Sequence, residues 1–254
     1  MTIITVRELH KTFGPTVAVD NVTFSVETGE IFGVLGPNGA GKTTTVECIS
    51  GMLEADRGSL SVLGRHPFRG GYFLRSQVGY QMQSSTLPAQ LRVGEALRLF
   101  ASLYPNPASI PELLDTVGLA HRRKTAFAAL SGGERQRLSI ALALIGNPRI
   151  AILDELTTGL DPLGRRDIWN LVERIRRSGI TVLLVSHFLD EIERLCDRLA
   201  IITMGRSIFV GTPEHLIARA AVQNPHITGL EDAYLTIVDS AASLTGTETE
   251  GAQS

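Results

Sequence analysis

The stretch Ile31–Val46, IFGVLGPNGAGKTTTV, governs how the rest of the chain is read. Ile31–Leu35 is a short apolar run of the kind that forms a strand buried on both faces. It feeds Gly36–Thr43, which matches G-x-x-x-x-G-K-[ST] in full, and helical sequence begins near Lys42. Gly36, Gly39 and Gly41 let the backbone curl, so that successive N–H groups converge on oxygen anions. Pro37, Asn38 and Ala40 fill the variable positions, and Thr44 follows the motif into the helix. Lys42 brings a positive charge to the β- and γ-phosphates of a nucleotide, and the Thr43 hydroxyl is a ligand for Mg2+.

Working outward, the sheet pattern recurs on both sides of this loop. Ile4–Leu9 and Thr16–Val26 alternate as strands, and Ser59–Leu63 and Gln77–Met82 read as two more. From about residue 84 the character turns helical, with Leu91, Ala96, Leu97, Phe100 and Leu103 at helical spacing. Pro105 and Pro107 break that run before a second helix opens at Pro111. Strand and helix then alternate: a strand ending at Asp154-Glu155, a helix over Leu163–Ser178, a strand over Ile180–His187 and a helix over Leu189–Cys196. That alternation predicts parallel strands with helices on both faces. Arg198–Pro213 reads as a hairpin turning at Met204-Gly205-Arg206. The tail from Ser240 lacks large apolar residues and is expected to be disordered.

Two further sites carry chemistry. Asp154 and Glu155 stand at the carboxyl end of a buried strand, where α/β sheets place ligands. Asp154 is a candidate for holding Mg2+, and Glu155 for polarising a water toward the γ-phosphate. Ser131-Gly132-Gly133 also precedes a helix, which makes a second turn of phosphate-binding type. The first loop already accounts for one nucleotide, so the second grip calls for an explanation.

Composition narrows the classes. The 254 residues are 43% hydrophobic and 20% charged, with a formal net charge of −2. That balance supports a sizeable core and argues against a general electrostatic grip on nucleic acid. Cys48 and Cys196, the only cysteines, have no CxxC spacing and are expected to be reduced and buried. No apolar run approaches the roughly 18–20 residues of a membrane span, and no signal-peptide pattern opens the chain, so the chain is expected to be soluble by itself.

From about Val6 to Thr212, the order of these elements resembles the nucleotide-binding subunit of an ATP-binding-cassette transporter. LSGGERQRL (Leu130–Leu138) is similar to that family's signature sequence, and Gln83 in VGYQMQ stands at its Q-loop glutamine, with Gln81 nearby. GLDP (Gly159–Pro162) looks like its D-loop, which brings in Asp161. His187 in LLVSH matches its switch histidine. Phe13 in KTFG stands where the family stacks an aromatic ring, usually tyrosine, on adenine.

The resemblance implies a P-loop NTPase fold: an α/β core of mostly parallel sheet, an N-terminal antiparallel β subdomain and an inserted helical subdomain. One ATPase domain would cover 1–239, with the helical part at about 84–147 and a tail at 240–254. It also implies ATP and Mg2+ as cofactors, with Gln83 joining Thr43 and Asp154 near the metal, and Glu155, His187 and Gln83 serving hydrolysis. Two subunits, alike or paired, would close head to tail on two ATP. Ser131, Gly132 and Gly133 of one would then face the nucleotide held by the other. A separate permease would dock on the helical part and the Gln83 loop, at the cytoplasmic face of a membrane. Gly229–Val238 resembles the LED-containing helix of ATPases that serve exporters of drugs, antibiotics, lipids or polysaccharides. A soluble ATPase of the DNA-repair or translation type, or an ATP sensor without turnover, would need features other than these. Met82 and Leu156 depart from the family, which usually has proline at both places.

Overall fold

The computed structural model describes residues 1–81 and 87–250, with side chains as far as residue 241. Two long strands open the chain, β1 (Thr2–Phe13) and β2 (Thr16–Glu27), and pair antiparallel. β4 (Arg57–Val62) adds to the free edge of β1, again antiparallel. The parallel part consists of β3 (Ile31–Leu35), β5 (Val78–Gln81), β6 (Ile150–Asp154), β7 (Thr181–Ser186) and β8 (Arg198–Thr203). β9 (Arg206–Gly211) joins the two parts: it runs antiparallel to β8 and meets β2 at Asn21. The nine strands form one sheet in the order β4-β1-β2-β9-β8-β3-β7-β6-β5.

Every residue of β3, β6 and β7 is buried. Their side chains alternate between two cores, as the pleat requires. Phe32, Val34, Ile152, Leu183 and Val185 face the core under α1 (Lys42–Ser50) and the antiparallel strands. Ile31, Leu35, Leu153, Val182 and Leu184 face the larger core. That side is covered by α3 (Val93–Ala101), α4 (Ile110–Val117), α5 (Gly132–Leu144), α6 (Pro162–Arg177) and α7 (Leu189–Leu195). The expected α/β class, with its antiparallel subdomain and helical block, is what the structure has.

The hairpin turn falls where the sequence places it: Met204 and Gly205 both have positive φ, 48° and 73°, as a tight two-residue turn demands. Some local features depart from the sequence reading or add to it. A helix, α2 (Gly71–Gln77), precedes β5; Gly70 and Gly71 at its start and its exposed aromatics hide it, and burial of Leu74 anchors it. Leu103 is not on the buried stripe, because α3 ends at Ala101 and the side chain lies out in solvent. α8 (Pro213–Gln223), capped by the Thr212 hydroxyl, follows the hairpin. α9 (Leu230–Glu250) seats Leu230, Ala233 and Ile237 in the larger core.

Candidate functional site

Strand register assembles the site. Leu35 lies beside Ser186 and Asp154 beside Val185, so Gly36, His187 and Glu155 leave the sheet together from adjacent strands. They share the carboxyl end of the parallel strands, the edge where such sheets bind ligands. Phe13, Asn38, Gly39, Gly41, Lys42, Thr43, Thr44, Asp154, Glu155 and His187 line one open cleft of about 720 Å³. Phe13 stands half exposed at its margin.

The loop conformation is imposed by its neighbours. Gly41 has φ 95°, and a methyl group there would strike the Ala18 carbonyl; one on Gly36 would strike that of Ile202. The buried Ala40 is pinned from the hairpin, its carbonyl accepting the Gly205 N–H at 3.0 Å. Helix α1 then starts with no side-chain cap and no acidic residue in its first turn. Its first N–H groups are therefore left for an anion, at the positive end of the helix dipole.

Charge in the cleft is buried and unevenly balanced. Lys42 is 6% exposed, and its Nζ donates to the carbonyls of Gly36 at 2.7 Å and Pro37 at 2.9 Å. Burial lowers its pKa, while Glu155 and Asp154 act to raise it. Asp154, 3% exposed, is pushed up to about 6, first by burial and next by the Glu155 carboxylate, with Lys42 offsetting part of this. Two carboxylates this close, one of them costly to ionise, make a place that a cation would relieve.

Glu155 has φ 48°, a left-handed conformation uncommon for a residue with a side chain, and its N–H donates to Val185 O at 2.9 Å. The kink ends β6 and separates the direction of Glu155 from that of Asp154. His187 Nδ1 lies 3.3 Å from Glu155 Oε1, near enough for electrostatic contact but without hydrogen-bond geometry. The imidazole rests against Phe188 with ring centroids 4.0 Å apart, and the Arg165 guanidinium covers the far part of this stack, 4.6 Å from Phe188.

Ser131, Gly132, Gly133 and Asp161 lie elsewhere, in a second cleft of about 530 Å³ that shares no residue with the first. Ser131 caps α5 by a reciprocal pair: its Oγ accepts from Glu134 N at 3.3 Å, and Glu134 Oε2 accepts from Ser131 N at 2.8 Å. Arg122 Nε donates to the other oxygen of Glu134 at 2.6 Å. Asp161 caps α6, accepting the Gly164 N–H at 2.9 Å. A methyl on Gly132 would meet open space, and one on Gly133 only the tip of Leu160 at 4.0 Å. Gln83 and Met82 lie outside the described residues. Leu156, at the second place where proline is usual, is 1% exposed in the larger core.

Sequence reasoning passed over Thr16, Val17, Ala18 and Thr158, which also line the first cleft. Ala18 acts through its carbonyl, which no residue identity announces. Gln81, set aside in favour of Gln83, has its Oε1 accepting the Asp154 N–H at 2.9 Å and so steadies that strand end; the buried carboxylate of Glu191 was passed over. The Glu191 signal was available, as an acid four residues past His187 on the apolar side of a short helix.

A family model for the ABC transporter matches residues 19–158. The chain is 41% identical over 220 residues to the Nod factor export ATP-binding protein I of Ralstonia nicotianae, covering 85% of this chain and 68% of that one. It is 37% identical over 242 residues to the "Probable multidrug ABC transporter ATP-binding protein YbhF" of Escherichia coli, covering 93% of this chain but 42% of the relative. Among solved structures, an ATP-binding subunit of an ABC transporter superposes with a TM-score of 0.82 at 29% identity, over 93% of this chain and 99% of that one. The ADP form of the ATP-binding cassette MJ1267 gives 0.76 at 26% identity, over 92% and 99%. With a phosphate loop, an acidic strand end and a histidine turn set side by side in that fold, the chain belongs to the ABC transporter family, as an ATP-binding domain.

Proposed function

We propose that this chain is the ATP-hydrolysing subunit of an exporter, and that two such subunits close head to tail on two ATP. The observation that carries the shared site is the separation of the two turns. Within one chain, Ser131–Gly133 line a cleft that shares no residue with the one lined by Lys42, and among the described residues a methyl on Gly132 would meet open space and one on Gly133 only the tip of Leu160.

In the first cleft, the N–H groups of the loop and the start of α1 hold the phosphates, and Lys42 exchanges its loop carbonyls for them. Phe13 gives the adenine a ring face. The donor set suits Mg2+: Asp154 and the Thr43 hydroxyl supply hard oxygens, and no cluster of three or more His, Cys, Asp or Glu forms an all-protein cage among the described residues. When bound, the metal would neutralise charge on the phosphates; Gln83 is assigned beside it from the sequence alone. Glu155 accepts a proton from the attacking water at its carboxylate, and His187 orients that water against the γ-phosphate.

Export is the direction suggested by the names of the relatives, and the membrane path would be a separate permease at the cytoplasmic face. No helix among the described residues is long and apolar enough to cross a membrane. Tyr72 and Phe73 on α2, with Leu99 on α3 and Leu103 beyond it, offer an exposed apolar surface for docking; the Tyr72 hydroxyl ties the two parts by donating to Leu103 O at 2.7 Å.

Mixing two dead variants tests the shared site. Ser131→Arg and Lys42→Ala homodimers each have both sites broken, whereas a mixed dimer keeps one intact loop opposite one intact signature turn. Partial phosphate release on mixing is expected. No recovery, with mixed dimers demonstrated by crosslinking, would sink the reading.

A further inference from the structure

Glu191 is 1% exposed, and the two hydroxyl residues it touches, Thr157 and Ser186, are wholly buried. Its Oε1 accepts from the Thr157 hydroxyl in a short hydrogen bond, and its Oε2 accepts from the Ser186 hydroxyl at 2.6 Å. Ser186 Oγ also accepts the Phe188 N–H at 3.0 Å. Thr157 stands two residues after Glu155, and Ser186 and Phe188 flank His187. One carboxylate on α7 thus ties the loop that carries Glu155 to the turn that carries His187. Next to it, Asp190 pairs with Arg165 at 3.3 Å, which fixes the start of α7 to α6.

Burying a carboxylate is costly, and an apolar side chain of that size would fill the same space without the desolvation. Packing alone therefore does not explain an acid here. We propose that Glu191 is a positioning residue for hydrolysis, holding the Glu155 loop and the His187 turn at a fixed separation so that both address the same water. The proposal rests on the roles assigned above to Glu155 and His187. It concerns hydrogen bonding rather than charge: glutamine can accept from Ser186 through its oxygen and donate to Thr157 Oγ through its nitrogen.

The test compares Glu191→Ala with Glu191→Gln in the full chain, reading phosphate release against MgATP concentration. The alanine variant should lose about 10- to 100-fold in kcat, the scale of a small misplacement of reacting groups, with KM for MgATP within about threefold. The glutamine variant should stay within about threefold of wild type. Wild-type turnover in the alanine variant would overturn the proposal, as would a glutamine variant as slow as the alanine one. Should Glu191→Ala fail to fold, Thr157→Val and Ser186→Ala each remove one arm of the tie. Each should lower kcat with the MgATP-induced rise in melting temperature kept, and wild-type kcat in both would overturn the idea. Glu155→Gln measured alongside separates the two readings. If it retains turnover, the assignment of Glu155 has failed; if it is inactive while Glu191→Ala is not, only the role of Glu191 has.

Discussion

The two phosphate-type turns are built on opposite plans. The loop before α1 leaves its helix start uncapped and free of acids, and its glycines are dictated by nearby carbonyls and by positive φ. The turn before α5 is closed by its own Ser131–Glu134 capping box, and its glycines answer to nothing in the same chain. On the proposed reading, the first is therefore the side of the nucleotide site that holds the phosphates before a partner arrives. The second has a carboxylate already at its positive end, so a lone phosphate gains little there. It suits a phosphate that another surface already holds.

The largest test of this contrast is chemical. Glu155→Gln should abolish most turnover, by about 10²–10⁴-fold, because the amide cannot act as a base. Nucleotide binding, read as a thermal shift with MgATP, should persist. A variant that releases phosphate at the wild-type rate would remove the chemistry from the first cleft.

Next comes Asp154→Asn. Folding raises this carboxyl from its ordinary 3.8 to about 6, so the folded protein binds the proton more tightly than the unfolded chain. Stability of the nucleotide-free domain should fall as pH rises from about 4 through 6, and the full cost should be present at pH 7. Asparagine lacks that charge, so the variant should be more stable at pH 7 by up to about 3 kcal/mol, with the gain vanishing near pH 4. Urea midpoints at the two pH values check this, and a gain independent of pH would contradict the cause. The same variant should need more Mg2+ for hydrolysis.

The glycines sharpen the comparison at smaller scale. Gly41→Ala should destabilise the isolated domain by about 2–3 kcal/mol, from positive φ and the collision with Ala18. Gly133→Ala, in the first turn of α5, should change stability by less than about 1 kcal/mol, toward greater stability, since alanine is the better helix former. Its turnover should nevertheless drop if a partner's phosphate approaches there. Equal destabilisation by both substitutions would erase the difference between the two turns.

Much of this was legible in the chain itself. The apolar runs Ile31–Leu35 and Ile150–Leu153 read as strands buried on both faces, because no polar position in them offered a face to water. The phosphate loop and the acids at the end of β6 pointed to a phosphate and metal site, since backbone curling needs glycine and metal binding needs hard oxygen. The Met204–Gly205 turn was readable for the same local reason.

Tertiary structure alone decided what these pieces do together. Register put Gly36, Glu155 and His187 at one sheet edge, though they are far apart in sequence. It placed Ser131–Gly133 in a different cleft from Lys42. The rise in Asp154 comes from burial and a neighbouring charge, and the ties made by Glu191 and the approach of the Ala18 carbonyl to Gly41 depend on which elements meet. Local pattern specifies strands, turns and donor types because those depend on a few consecutive residues. Distances, burial and shared hydrogen bonds depend on packing between segments remote in the chain, and are settled only when the sheet closes.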